Sequence, residues 1–135
     1  MSRAKVAIHW CSACGGCDET IVDLRDELLE LREAVEFVFW PCAMDFKRSD
    51  VEALPDGAIA FSLVSGAIRT SEQEEVVRLL RRKSKLVVAF GSCACMGGIP
   101  ALANLTNRRA IFDRVYGTLP TVENPDGVAP TPKST

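Results

Sequence analysis

The sequence predicts an α/β domain of flavodoxin-like form, a four-stranded parallel sheet with helices on both faces. Three observations carry that expectation. Short apolar runs recur at Ala4–His9, Val35–Trp40, Ala58–Val64 and Lys85–Phe90, amphipathic segments lie between them, and turn residues follow the third and fourth. Strands that alternate with helices are joined by right-handed crossovers, which makes the sheet parallel and leaves two faces to be covered.

The first run, AKVAIH, reads as a buried strand. After it, Asp18–Glu33 places Ile21, Leu24, Leu28 and Leu31 on one face and Asp23, Arg25, Glu27 and Glu30 outside it, which predicts one helix. Asp18 is expected to cap that helix, because a carboxylate there can accept from the free N–H groups of the first turn. VEFVFW is the second strand and AIAFSLV the third. Ser65-Gly66 then leads to a helix from about Glu72 to Lys83, where Ser71 and Glu74 have capping-box spacing. Arg81, Arg82 and Lys83 close that helix at the end where its dipole favours positive charge, and together with Arg78 they read as a solvated face. KLVVAF is the fourth strand, followed by the loop GSCACMGGIP and a last short helix near Arg108–Tyr116. Residues 1–117 are expected to form one folded domain, and the Pro-rich stretch 118–135 an extended tail.

Composition narrows the function classes. The chain has 135 residues, 47% of them hydrophobic and 25% charged, as in a globular protein with a real core. A formal charge of -2 gives no electrostatic reason to expect nucleic acid or an anionic membrane as partner. No apolar run reaches the roughly 18 residues of a spanning helix, and no signal peptide is visible, so the expected compartment is the cytoplasm. In that reducing setting the six cysteines at 11, 14, 17, 42, 93 and 95 read as metal ligands or redox groups rather than as disulfides.

In a parallel sheet the loops after the strands share one edge, and ligands bind there where the strand order reverses. All six cysteines follow strands 1, 2 and 4, so the fold gathers them at that edge. A C-x2-C pair joined by thiols from other loops suits an iron–sulfur cube or zinc, since two residues of spacing bend round one metal corner. Gly15 and Gly16 remove side chains where backbone would pass close to such a centre, and Gly91, Gly97 and Gly98 do the same on the other loop. No P-loop or G-x-G-x-x-G follows strand 1, which argues against a flavin or a nucleotide phosphate. His9 reads as a strand-end residue, Trp10 and Trp40 as covers for the core or as shields of a cluster from water, and Glu19 as a first-turn glutamate or a proton-handling carboxylate.

The segments CGGCDE, SGAIRTSEQEE and GSCACMGGIPAL resemble the N-terminal domain of nickel–iron hydrogenase small subunits. The methyl-viologen-reducing, F420-non-reducing type is the nearest, and the 20 kDa subunit of complex I is a more distant relative; the likeness runs from about Lys5 to Val128. It implies a flavodoxin-like domain that holds a proximal [4Fe–4S] cluster against a catalytic large subunit and passes electrons to further electron-transfer subunits. By position in the family motifs, Cys14, Cys17 and Cys93 are the matching ligands. The family's fourth ligand lies in a Gly-Cys-Pro-Pro segment downstream, and this sequence ends at Thr135 before it. The expectation is therefore either a piece of a longer subunit, a thiol from a partner chain, or recruitment of Cys42, Cys11 or Cys95. The resulting expectation is an electron-transfer component with one [4Fe–4S] cluster and no catalytic residue of its own. The alternatives are an adaptor module, cluster-free or zinc-stabilised, that docks on a larger oxidoreductase, and a dithiol redox protein using Cys14 and Cys17.

Overall fold

The computed structural model describes residues 3–131. Its centre is a four-stranded sheet of β1 (Ala4–Trp10), β2 (Val35–Phe39), β3 (Ile59–Ser65) and β4 (Ser84–Phe90), in the order β2-β1-β3-β4. All three pairings are parallel: Val6 lies opposite Phe37 and Phe61, and Ser65 lies between Trp10 and Phe90. This is the flavodoxin-like order that the alternation of elements predicts.

Alternation along the strands sends successive side chains to opposite faces, and each face has its own core. On one, Ala7, Phe39 and Val64 pack with Val51 of α3 (Arg48–Glu52) and with Val76, Leu79 and Leu80 of α4 (Ser71–Lys83). On the other, Ile8 and Trp40 pack with Ile21 of α1 (Gly16–Val22), and half-buried Leu28 of α2 (Asp26–Ala34) joins them. Beyond β4 come α5 (Ser92–Met96), a 3₁₀ turn at Pro100–Leu105, α6 (Arg108–Phe112) and a wide π-type turn at Asp113–Thr118. From 119 to 131 there is neither helix nor strand; residues 132–135 of the expected tail lie outside the described residues. No helix among the described residues is long and apolar enough to cross a membrane.

The structure departs from the sequence expectations in four local ways. The helix expected over Asp18–Glu33 is two helices. Tightened bonds from Leu24 N–H to Ile21 O and from Arg25 N–H to Val22 O end the first, and Arg25, at φ 52 and ψ -118, turns the chain into the second. Ile21 is thereby buried while Leu24 on the same ideal stripe is 39% exposed. The cap box of α4 sits one residue earlier than expected: the Thr70 hydroxyl accepts from Gln73 N–H at 3.2 Å, and the Gln73 side chain accepts from Thr70 N–H at 3.3 Å. Asp18 caps nothing; Gly15 precedes α1, and the Asp18 side chain points inward. Finally, α3 and α5 lie where the sequence predicts loop, each being a helix of five residues and too short to show a period.

Arg25 is the one non-glycine residue with positive φ among those described. A side chain there costs roughly 1–3 kcal/mol, partly offset by the extra freedom that glycine gives the unfolded chain. Arg25→Gly is therefore expected to stabilise the domain by about 1 kcal/mol. The check is a higher denaturant midpoint at unchanged slope.

Candidate functional site

The site is built where β1, β3 and β4 run out. Past β1 the chain does not swing free, because Cys11 N–H donates to Ser65 O at 2.8 Å and Ser12 and Ala67 exchange two backbone bonds of 3.0 Å. This short antiparallel exchange prolongs the β1–β3 pairing and fixes the start of the cysteine loop. The Gln73 side chain adds a bond to the Ser12 hydroxyl, so the α4 cap braces the same point. Residues 13–15 then turn into α1, which carries Cys17 in its first turn.

The second cysteine loop comes from β4. Gly91, at φ 83, lies so close to the first loop that a Cβ on it would stand 2.2 Å from Cys17 Sγ. Gly98, at φ 48, lies close to its own loop, though less tightly: a Cβ there would be 3.0 Å from Cys93 Sγ. Both sulfurs are thus seated against bare backbone. At Gly16 a Cβ would meet Cys14 Sγ at an ordinary 3.6 Å, so close approach does not require glycine there. Gly15, at φ 95, turns the chain into α1 beneath the Trp10 ring.

The six thiols separate into different settings. Cys11 is 5% exposed and belongs to the core on the α3/α4 face, where burial pushes its thiol up. Cys14 is exposed, and Cys17 and Cys93 are half-buried. Cys17 is the centre of the group: its thiol is raised first by burial and then by the neighbouring Cys14, Cys93, Asp18 and Cys95. Cys93 and Cys95 share α5, but residues two apart on a helix do not face the same way. Cys95 Sγ donates to Ala89 O at 3.2 Å. Cys42 is exposed on the turn after β2 and lines a cleft of about 380 Å³ with Cys14, Trp10, Asp18, Glu19 and Trp40. Partial burial and the Asp18 carboxylate raise its thiol. Among the described residues, no three His, Cys, Asp or Glu side chains are grouped tightly enough to chelate one ion.

The tryptophans differ from each other. Trp40 is buried, as expected of a core cover, and its indole N–H donates to Asp18 Oδ1 at 2.9 Å. Trp10 is 41% exposed and folds over the cysteine loop, donating to Ala13 O. Sequence reasoning missed the buried Asp18. The only signal was an aspartate flush against a cysteine pair with no basic neighbour in α1. His9 is half-buried against Phe39, and its Nε2 finds no partner among the described residues.

The chain matches, over residues 14–134, the family described as NADH ubiquinone oxidoreductase, 20 Kd subunit. It belongs to that family. Within the 20 Kd subunit family, it is 43% identical over 131 residues to the iron-sulfur subunit of the F420-non-reducing hydrogenase of Archaeoglobus profundus, covering 96% of this chain and 41% of that one. It is 27% identical over 114 residues to the delta subunit of the NAD-reducing hydrogenase HoxS of Cupriavidus necator, covering 84% and 51%. The fold matches a chain in the crystal structure of an NAD+-reducing [NiFe]-hydrogenase in the H2-reduced state, with a TM-score of 0.72 at 28% identity, covering 91% of this chain and 67% of that one. The resemblance drawn from the three loop segments is thus borne out, and the chain spans well under half the length of its relatives from F420-non-reducing hydrogenases.

Two outcomes test this geometry. Gly91→Ala puts a methyl group into Cys17 Sγ and a side chain at φ 83. It is expected to destabilise the metal-free protein by roughly 1–3 kcal/mol, read from denaturant unfolding. For His9, burial lowers the pKa below 6.5, against the opposing charges of Asp18 and Glu72. The unfolded chain then binds more protons than the folded one between the folded pKa and 6.5. This group's contribution is therefore fully present above 6.5 and is lost as pH falls through the folded pKa. His9→Phe should remove that part of the acid slope in unfolding measured across the window.

Proposed function

We propose that this chain is the cluster-bearing, electron-transfer part of a hydrogenase-type oxidoreductase, with a [4Fe–4S] group held by Cys14, Cys17 and Cys93. The observation that carries the reading is the meeting of the two cysteine loops, Cys17 Sγ of the first lying against Gly91 of the second and Cys93 acting on the Cys17 thiol. The Cys17 thiol, raised first by burial and then by Cys14, Cys93, Asp18 and Cys95, is hard to ionise in this setting without a cation beside it. Iron reverses that sign, because a metal centre holds thiolates rather than thiols. A polynuclear centre, whose ligands sit on different metal atoms, suits thiols brought together from two separate loops.

Such a cluster supplies one-electron transfer. The chain's own residues do the rest. The glycines let sulfur lie against backbone, Trp10 covers the loop on the solvent side, and the bonds from Cys11 and Ser12 to the β3 end keep the two loops in register. Cys11, in the core, is set aside as a fourth ligand. Cys95, beside Cys17, and Cys42, across the cleft from Cys14, are the remaining candidates within the chain. Catalysis would lie on a partner. Met96, Ile99, Leu102 and Leu105 follow the second loop at 79%, 78%, 58% and 84% exposure, an apolar stripe of the kind that a subunit interface covers. The names of its relatives, an iron-sulfur subunit and a delta subunit of hydrogenases, fit a component of a larger hydrogenase complex.

The test is metal content. Anaerobically prepared protein is expected to carry about four irons and four sulfides per chain. Cys14→Ala, Cys17→Ala and Cys93→Ala each abolish this, and Cys11→Ala leaves it near the parent level. Whichever of Cys95→Ala and Cys42→Ala removes iron names the fourth thiolate. Stoichiometric zinc without sulfide would overturn the reading.

A further inference from the structure

Asp18 is 7% exposed, and its two oxygens are each used once: Oδ1 accepts from the Trp40 indole N–H at 2.9 Å and Oδ2 from the Ser65 hydroxyl at 3.2 Å. Acceptance at both oxygens is the pattern of an ionised carboxylate. Trp40 follows β2, Ser65 ends β3, and Asp18 belongs to the helix that follows β1, so one side chain ties together the ends of three adjacent strands. Both donors are neutral. They satisfy the oxygens without cancelling the charge, which therefore acts on whatever lies beside it.

We propose that Asp18 is a positioning residue with a second role: it locks the cysteine loop to the ends of β2 and β3, and its fixed negative charge beside Cys17 lowers the reduction potential of the group bound there. The inference rests on the proposed function, since it needs a redox centre at Cys14, Cys17 and Cys93. Its physical content is separate. Adding an electron next to a buried carboxylate is opposed by Coulomb repulsion, which low local polarity strengthens. The same charge raises the thiols of Cys17 and Cys42 and favours the charged form of His9, so its field reaches both sides of the site.

The experiment is a redox titration of the anaerobic, iron-loaded full chain, followed by electron paramagnetic resonance, with thermal unfolding of the metal-free protein beside it. Asp18→Asn keeps the shape and an acceptor but removes the charge. It is expected to favour reduction about tenfold, a positive shift of about 59 mV for one electron. Trp40→Phe keeps the charge and removes one donor, so it should lower the melting temperature and leave the potential near that of the parent. An unchanged potential in a fully loaded Asp18→Asn protein overturns the proposal, as does an equal shift in Trp40→Phe. If Asp18→Asn fails to load, Asp18→Glu, which restores the charge, must keep the parent potential; a positive shift there also overturns it. Parent protein with no iron or sulfide would instead remove the proposed function, and this inference with it.

Discussion

The arrangement of the site depends on a small piece of backbone pairing, the exchange between Ser12 and Ala67 just beyond the parallel β1–β3 ladder. Parallel strands end with their next residues free, and a cysteine loop that began there unpaired would wander. Here Cys11 still donates to Ser65 and Ser12 pairs twice with Ala67, so the loop leaves the sheet from a fixed point. Gly66 makes this possible. At φ 86, a Cβ on it would lie 2.9 Å from the Ser12 carbonyl group. The C-x2-C pair is positioned by a strand to which it does not belong.

The six thiols illustrate how one residue type takes different roles from position alone. Cys11 still lies within the β1–β3 pairing, and its side chain packs in the core as a small hydrophobe. Three residues on, Cys14 is exposed, and three more bring Cys17 against Gly91. Cys93 and Cys95 are separated by the turn of α5, which carries one toward Gly98 and the other toward Ala89. None of these differences shows in the cysteine spacing.

The cysteine loops arrive at the edge with a matching surface. Trp10 at 41% exposure, with the stripe from Met96 to Leu105, leaves apolar groups in water where two loops of a redox family meet. The core, by contrast, is filled on one side of the sheet by residues of α3 and α4 and on the other by α1, with half-buried Leu28 of α2 beside it.

Much of this was legible in the sequence. Four apolar runs separated by amphipathic segments determine a parallel sheet, because burial on both faces and right-handed crossovers leave few other solutions. That topology places every loop cysteine at one edge, and the three motif segments point to the family now matched over 14–134. What the sequence did not contain was contact between residues far apart. The burial of Asp18 under Trp40 and Ser65 and the withdrawal of Cys11 into the core follow from packing across the sheet, whereas the α4 cap at Thr70 and Gln73 is a local T-x-x-Q box that lies one residue before the expected pair. Local periodicity and capping rules see only neighbours along the chain. A carboxylate that finds its donors 22 and 47 residues away is decided only once the strands have come together.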